Sequence, residues 1–504
     1  MNKKILYILS IVATIGFVSC DDYLDTTPDN RTVLDSEVKV KELLTSAYPE
    51  GAYGLFTYAM SDDADDKGFS ENSLISNEQG YFWKDFTDVG QDSPAFYWDA
   101  CYKAISHANT ALEFMEKQKV GGIVPEKYQP YYGEALVIRA YCHFMLVNIW
   151  GKHYNPTTSE TDLGIPYVTE VEKDVFKKYK RETVAKNYEQ IEKDLEEGLK
   201  YIQDGAYDVA KYHFNRAAAY TFASRYYLYK GNDWQKVVDY STMALGTNPA
   251  AKLRDLSGRY RSLGLNEQLA EYSKATEPAN FLLTSNVSYW FYYFQAKVRY
   301  AYTPVIENKI LNNIFVKQGG NTWCQNTASF SEIDKFVFKW GYFFKRFDAN
   351  SDNGYFCTMT PVIEAEEALF NRMEANAMLG NYPAVESDLD MFFSKRMTNY
   401  TDANKVSESK ITTAYENNSK SDSPLKPWYD VDAKKRTYLN CIIDTRRREF
   451  YYEGLRWFDI RRFNLKVIHN VKDGAPVTLL ENDARKTLQI PVAAQQNGLT
   501  PNAR

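Results

Sequence analysis

The residues of this sequence that are best suited to chemistry lie between Thr445 and Phe463, a stretch that contains six arginines and three carboxylates. Arginine stays charged when it is buried, and its planar guanidinium group binds carboxylates or phosphates through two parallel hydrogen bonds. The stretch can therefore be an anion-binding site, or a helix that ion pairs and aromatic rings hold in the core. Glu453 and Asp459 each stand three residues from an arginine, a spacing at which side chains meet on one face of a helix. So many carboxylates among the arginines favour the structural interpretation over a phosphate pocket.

A helix must position this stretch, because its largest residues follow helical spacing. Phe450, Gly454, Trp457 and Arg461 recur at intervals of three or four residues. That pattern predicts one continuous helix that buries its rings against a neighbour.

The composition of the 504-residue chain argues against several classes of function. Its formal net charge is −6, which leaves no generally basic surface for nucleic acid. Its six cysteines and five histidines show no C-x-x-C pair and no metal-like spacing, so neither a zinc site nor a cysteine nucleophile is expected. Neither a nucleophile elbow nor a phosphate-binding loop is present, and we expect a non-enzymatic protein without a cofactor. A glycan-cleaving enzyme stays an alternative, because two carboxylates that converge only in the folded chain leave no sequence motif.

Residues 1–19 have the features of a lipoprotein signal peptide. Two lysines precede an apolar run, Ile5–Val18, that is too short to cross a membrane comfortably. The run is followed by Ser19 and Cys20, and a small residue before a cysteine predicts cleavage there and lipid attachment to Cys20. Residues 20–35 are then an acidic, lipid-anchored tether, which more than one acyl chain would hold stably at a membrane. An ordinary secretory signal with a coincidental cysteine is the alternative.

Helical periodicity runs through most of the chain and predicts a mainly α protein. Two segments read as helix, glycine turn and helix, as in tetratricopeptide-like units, with their turns at Gly231 and Gly380. The predicted helices are Pro94–Lys119, Tyr132–Trp150, Lys180–Ile202, Phe214–Tyr229, Trp234–Leu245, Pro361–Leu379 and Pro383–Arg396.

The helical pattern fades between Pro249 and Thr360, where aromatic residues gather in predicted loops and short strands. In a solvated loop, an aromatic ring can stack on the apolar face of a sugar while neighbouring polar side chains bind its hydroxyl groups. The alternative is that the rings pack the loops onto the helices. The predicted ligand contacts, drawn from this region and from a cluster before the first long helix, are Tyr81, Trp83, Trp290, Tyr292 and Trp323.

Several motifs of the chain resemble those of one protein family. Arg446–Arg462 is similar to the helix pattern R-R-x-E-F-x-x-E-G-x-R-W-x-D-x-R-R, and Gly133–Gly151 to a G-E-A…R-A…H-F…G run. The acidic residues after Cys20 resemble a surface-export signal, and Leu488–Pro491 resembles the start of a closing I-P…N segment. These are the motifs of the SusD/RagB family, surface lipoproteins of the Bacteroidetes that capture nutrients.

The resemblance implies a fold and a function. The fold is a single α-helical domain over residues 36–504, with tetratricopeptide-like helix pairs as a scaffold and an irregular ligand-binding region at about 250–360. The implied protein is anchored by lipid at the cell surface of the outer membrane. It captures an oligosaccharide and delivers it to a SusC-like TonB-dependent transporter. The family's Arg-rich helix is structural, which agrees with the reading of its residues. A peptide ligand and a pure assembly scaffold remain alternatives.

Overall fold

The structure, a computed structural model, describes residues 34–173, 177–312, 314–317, 321–324, 327–337, 339–416 and 423–504. Helices make up most of its regular structure, which confirms the predicted mainly α fold. They are α1 (Glu37–Thr45), α2 (Gly54–Met60), α3 (Ile75–Tyr81), α4 (Pro94–Lys117), α5 (Gln129–Trp150), α6 (Val184–Leu199), α7 (Arg216–Lys230), α8 (Trp234–Leu245), α9 (Leu265–Tyr272), α10 (Tyr292–Lys297), α11 (Pro304–Glu307), α12 (Ala365–Leu379), α13 (Tyr382–Ser394), α14 (Glu408–Tyr415), α15 (Ala433–Glu449), α16 (Leu455–Arg462) and α17 (Val492–Gln496).

The predicted signal peptide, residues 1–19, and the predicted lipid-attachment residue Cys20 lie outside the described residues, as does the tether up to residue 33. Within the described part of the chain, none of the helices has the length and hydrophobicity that a membrane span requires.

The long helices pack together as consecutive pairs, as the tetratricopeptide-like pattern predicts. α4 packs on α5, α7 on α8, and α12 on α13. In the last two pairs the turn is made by Gly231 and Gly380, whose φ angles of 67° and 79° are left-handed and suit glycine at a helix C-terminus. Nearly every residue of α5 is buried, so this helix lies at the centre of the scaffold.

The Arg-rich stretch forms two helices rather than the one continuous helix that its spacing predicts. α15 ends at Glu449 and α16 begins at Leu455. Between them Tyr452 and Gly454 have positive φ angles of 70° and 77°. Gly454 also lies so close to α2 that a Cβ atom built on it would be 2.2 Å from the hydroxyl oxygen of Thr57. The left-handed residues interrupt the helix here, and the close approach of α2 leaves no room for a side chain at position 454.

The structural interpretation of this stretch is confirmed, although its ion pairs differ in part from the expected ones. Trp457 is completely buried. Arg462 binds Asp459 at 2.8 Å, as its spacing predicts. Arg456 instead reaches Asp62 at 2.8 Å, and Glu453 binds Lys339 at 2.5 Å. These long-range pairs follow from the helix break, which turns the two side chains towards different neighbours.

The irregular middle of the chain contains most of the β-structure. The strands are β1 (Asp65–Asp66), β2 (Asn280–Val287), β3 (Tyr300–Ala301), β4 (Thr327–Ser329), β5 (Lys335–Val337), β6 (Phe343–Arg346), β7 (Gly354–Glu364), β8 (Val467–His469) and β9 (Val477–Leu479). β2, β7 and β6 form an antiparallel sheet in that order, in which Leu283 pairs with Pro361 and Phe344 with Phe356. Pairs β1–β3, β4–β5 and β8–β9 stand separately.

Two predicted helices begin four residues too early, since α6 starts at Val184 rather than Lys180 and α12 at Ala365 rather than Pro361. The expectation of a helix from Pro361 is wrong, since residues 361–364 are the end of β7 and α12 begins at Ala365. Thr358, Thr360 and Val362 alternate along this segment, and β-branched residues pack well on a pleated sheet. Proline also commonly opens a helix, which is why the sequence suggested the earlier start.

Candidate functional site

Tyr81 and Trp83, two of the predicted ligand contacts, are buried on either side of a histidine. The ring of His469 lies parallel to both, with centroid distances of 4.0 Å to Tyr81 and 4.4 Å to Trp83. The Tyr81 hydroxyl donates to the carbonyl of Asn470 at 2.6 Å, and the Trp83 indole donates to the carbonyl of Met60 at 2.9 Å. With both faces covered and both polar atoms bonded, these rings have a packing role in the structure.

Trp290 is also enclosed, at 2% exposure. Its indole N–H donates to the carbonyl of Tyr452 at 2.8 Å, and its ring lies 5.0 Å from that of Tyr58. Its own carbonyl accepts a hydrogen bond from the indole of Trp340 at 2.8 Å. Trp290 thus joins the aromatic loop that follows β2 to the break between α15 and α16.

Trp323 and Tyr292 are only partly buried and lie in different places. Trp323 forms an isolated β-bridge with Met397, and its ring lies 5.8 Å from that of Phe392 on α13. Tyr292 begins α10, and its ring lies 5.4 Å from that of Phe336. The structure therefore does not bring the five predicted residues together, and of the five only Tyr292 lines the groove described below.

A surface of exposed aromatic rings lies around Tyr292, and the sequence reasoning missed it. Seven rings of this region are 39–59% exposed, on both faces of the sheet, and we refer to them together as the aromatic surface: Tyr293, Phe330, Tyr342, Phe343, Phe344, Phe347 and Tyr355. Folded proteins in water rarely expose large rings together unless the surface binds something. The available signal was the segment Tyr342–Phe347, which has four aromatic residues among six and ends at a polar turn.

Neighbouring rings beneath the aromatic surface hold it in place. Tyr342 stacks on Phe291 with a centroid distance of 4.4 Å and an angle of 24° between the ring planes. Phe356 lies under both Tyr342 and Phe344, at 5.5 Å and 5.4 Å. One face of Tyr342 is thus covered, and the half-exposed ring presents its other side to solvent. A ring fixed in this way loses little conformational entropy when a ligand stacks on it.

A groove with a volume of about 330 Å³ opens beside these rings, between α9 and the sheet. That volume is within the range of small-molecule sites. We call it the ligand groove, and its lining residues are Asn266, Leu269, Ala270, Ser273, Tyr292, Gly341, Tyr342, Phe343 and Met359. Three aromatic rings and an amide group therefore converge on one concave surface.

The loop that carries Tyr292 is tied to the helical scaffold by a buried carboxyl group. Asp92, just before α4, accepts hydrogen bonds from the Ser288 hydroxyl at 2.5 Å and from the backbone N–H of Tyr289 at 2.6 Å. Burial raises the pKa of Asp92 to about 7, although these two hydrogen bonds act in the opposite direction. Lys297, a cation beside the loop, is paired with a carboxylate, since it binds Glu71 at 2.7 Å.

The sequence matches two related family models that together span most of the chain. Residues 22–228 match a SusD-like model described as "starch-binding associating with outer membrane". Residues 286–497 match the SusD/RagB model, described as "SusD family". The chain belongs to the SusD/RagB family. The second match includes the whole aromatic surface, and proteins of this family associate with the outer membrane.

Solved SusD/RagB structures share the fold along nearly the whole chain. A SusD superfamily protein from Bacteroides thetaiotaomicron has a TM-score of 0.64 and 17% identity, covering 93% of this chain and 100% of its own. One from Bacteroides vulgatus has a TM-score of 0.63 and 18% identity, with 93% and 98% covered. A SusD-like carbohydrate-binding protein from Bacteroides vulgatus has a TM-score of 0.62 and 16% identity, with 92% and 96% covered. No curated protein matches the sequence.

Proposed function

We propose that this SusD/RagB protein is a surface-exposed glycan-binding lipoprotein that binds an oligosaccharide in the ligand groove. The observation that carries the proposal is the convergence of Tyr292, Tyr342 and Phe343 on a concave surface of about 330 Å³. A related fold belongs to a SusD-like carbohydrate-binding protein, and the first family model is described as starch-binding.

The chemistry of the groove suits a sugar. A pyranose ring has an apolar face of C–H groups and a rim of hydroxyl groups, so it needs a flat apolar partner and nearby hydrogen-bonding groups. Tyr342 and Phe343 supply the apolar area, while Asn266 supplies an exposed amide at the edge. The backing of Tyr342 by Phe291 keeps the stacking ring in place before the ligand arrives.

The five sequence-predicted ligand contacts have different roles in this proposal. Tyr292 is retained as a ligand contact because it lines the groove. Tyr81, Trp83 and Trp290 are proposed to support the fold, since their rings are buried and the polar atom of each donates a hydrogen bond to a backbone carbonyl. Trp323 lies outside the groove, and its contact with a longer ligand stays a prediction.

We further propose that Cys20 carries the lipid anchor and that the protein delivers its glycan to a SusC-like TonB-dependent transporter. The anchor rests on the apolar run that ends at Ser19-Cys20. The delivery step rests on membership of the family alone. The proposed role requires binding without cleavage, which fits the lack of a recognisable catalytic motif in the sequence.

The test is a binding screen combined with product analysis. The purified protein is titrated by calorimetry with a panel of oligosaccharides and, in parallel, with peptides of matched length. The bound oligosaccharide is then incubated with the protein for a day and separated by chromatography. We expect at least one oligosaccharide to bind and to be recovered intact.

Two results would contradict the proposal. Binding of peptides but of no oligosaccharide would assign the groove to a peptide ligand. Shortened glycan products, which disappear when the protein is heat-denatured, would show an enzyme instead of a capture protein.

A further inference from the structure

The ligand groove is electrically neutral. Among the described residues, its lining contains no charged side chain, although a quarter of the whole chain is charged. Its polar groups are the amide of Asn266 and the hydroxyl groups of Ser273, Tyr292 and Tyr342. The remaining lining is apolar, with Leu269, Phe343 and Met359 as its largest parts.

The charged residues of the adjoining helix are engaged elsewhere. On α9, Glu267 accepts a hydrogen bond from the backbone N–H of Gly264 at 2.9 Å and caps the helix. Glu271 forms ion pairs with Arg259 and with Lys274, the second at 2.5 Å. Neither carboxylate lines the groove, and neither do Arg259 and Lys274, the cationic partners of Glu271.

The nearest cation of the bordering strand lies outside the groove. Lys345 is on β6, two residues beyond Phe343, and is exposed. Lys345 shares a face of β6 with Phe343, about 7 Å along the strand, so it borders the groove without lining it. Lys345 therefore separates two possibilities, because a charged glycan that extends past Phe343 would use it and an uncharged one would not need it.

We propose that the groove selects an uncharged sugar unit with a flat apolar face, and excludes uronic acids and sulfated sugars. This inference rests on the proposed function of the same groove. A carboxylate or sulfate placed against Leu269 and Met359 would lose water and gain no cation, which is strongly unfavourable. An uncharged unit stacked on Tyr342 loses only hydroxyl hydration, which the amide of Asn266 and the hydroxyl group of Tyr292 can replace.

The test compares two series of oligosaccharides by calorimetry, one neutral and one in which uronic acid units replace the neutral sugars at the same length. Each series is measured at low and at high ionic strength. We expect the neutral series alone to bind, with a dissociation constant that does not change with salt, since no ion pair forms across the interface.

Two variants make the test specific. Tyr342→Ala should weaken binding of the neutral series by about tenfold or more, as loss of a central aromatic anchor does. Lys345→Gln should bind that series like the wild type. Circular dichroism confirms that both variants are folded.

Different results would overturn the charge preference and the proposed glycan binding. Tighter binding of the uronic series, weakened by salt and lost in Lys345→Gln, overturns the charge preference and leaves glycan binding intact. If neither series binds, the proposed function falls, and the charge preference falls with it.

Discussion

The aromatic residues of this protein differ in whether neighbouring residues cover the whole ring or only one of its faces. Trp290 has rings and backbone around both faces and a bonded indole nitrogen. Tyr342 rests on Phe291 with one face and is half exposed. Both lie in the same irregular region of the sequence, so composition alone did not distinguish them. The distinction depends on tertiary contacts that the two rings make with distant segments.

Trp290→Ala should destabilise the protein rather than weaken ligand binding selectively. Removal of a fully buried tryptophan typically lowers the free energy of unfolding by about 3–5 kcal/mol. Denaturant unfolding, followed by far-ultraviolet circular dichroism, measures the loss. An unchanged unfolding midpoint would contradict the packing role given to this ring.

Asp92 should make stability depend on pH. Burial raises its pKa in the folded protein from 3.8 to about 7, so the folded state retains a proton that the unfolded chain has lost. The free energy of unfolding contributed by this group therefore falls as the pH rises from about 4 to about 7. Asp92→Asn keeps hydrogen-bonding groups for Ser288 and Tyr289 but does not titrate. Its unfolding free energy, measured by denaturation across this range, should fall less steeply than that of the wild type; equal slopes would show that Asp92 ionises normally.

At the scale of elements, the sequence predicted helices well and their interruptions poorly. The helix pair joined by Gly380 was foreseen because glycine, proline and apolar spacing all lie close together in the sequence. The break at Gly454 was not foreseen because the contact that requires glycine there is made with α2, almost four hundred residues earlier. The pairing of β2 with β7 escaped prediction for the same reason, since it joins distant residues such as Asn280 and Glu364, whereas β6 and β7 form a local hairpin.

Gly454→Ala tests the explanation of this break. Both Gly454 and Gly380 have left-handed φ angles, and an alanine there costs about 1–2 kcal/mol from backbone strain alone. A Cβ atom on Gly380 would meet nothing within 4 Å, whereas one on Gly454 would collide with Thr57. Gly454→Ala should therefore lower the unfolding free energy clearly more than the control Gly380→Ala. Equal losses in the two denaturation curves would mean that α2 does not constrain the break.

At the scale of the whole molecule, the family and the mainly α fold could be predicted because their motifs are local. The Arg-rich stretch and the Gly133–Gly151 run each carry the resemblance within about twenty residues. The candidate site could not be located in the same way. The ligand groove joins α9, the start of α10 and strands β6 and β7, so its residues come from positions 266 to 359 and meet only in the fold.

Membrane attachment should depend on Cys20. We expect Cys20→Ser to block lipid attachment, because serine has no thiol for the acyl group, and to shift the protein out of the outer-membrane fraction or leave it unprocessed. Immunoblotting of fractionated cells measures this. A variant that is cleaved normally and stays in the membrane would contradict the proposed anchor.

The central claim, that the rings of the ligand groove bind the glycan, is tested most directly by calorimetric titration of ring variants with the tightest oligosaccharide of the screen. Tyr342→Ala and Phe343→Ala remove groove rings, and Tyr212→Ala removes a ring of 38% exposure that belongs neither to the groove nor to the aromatic surface. Loss of about 2 kcal/mol at a binding hot spot weakens the dissociation constant by about thirtyfold. We predict that loss for at least one groove variant and none for Tyr212→Ala, with all three folded. Wild-type affinity in both groove variants would contradict the account and place the glycan elsewhere.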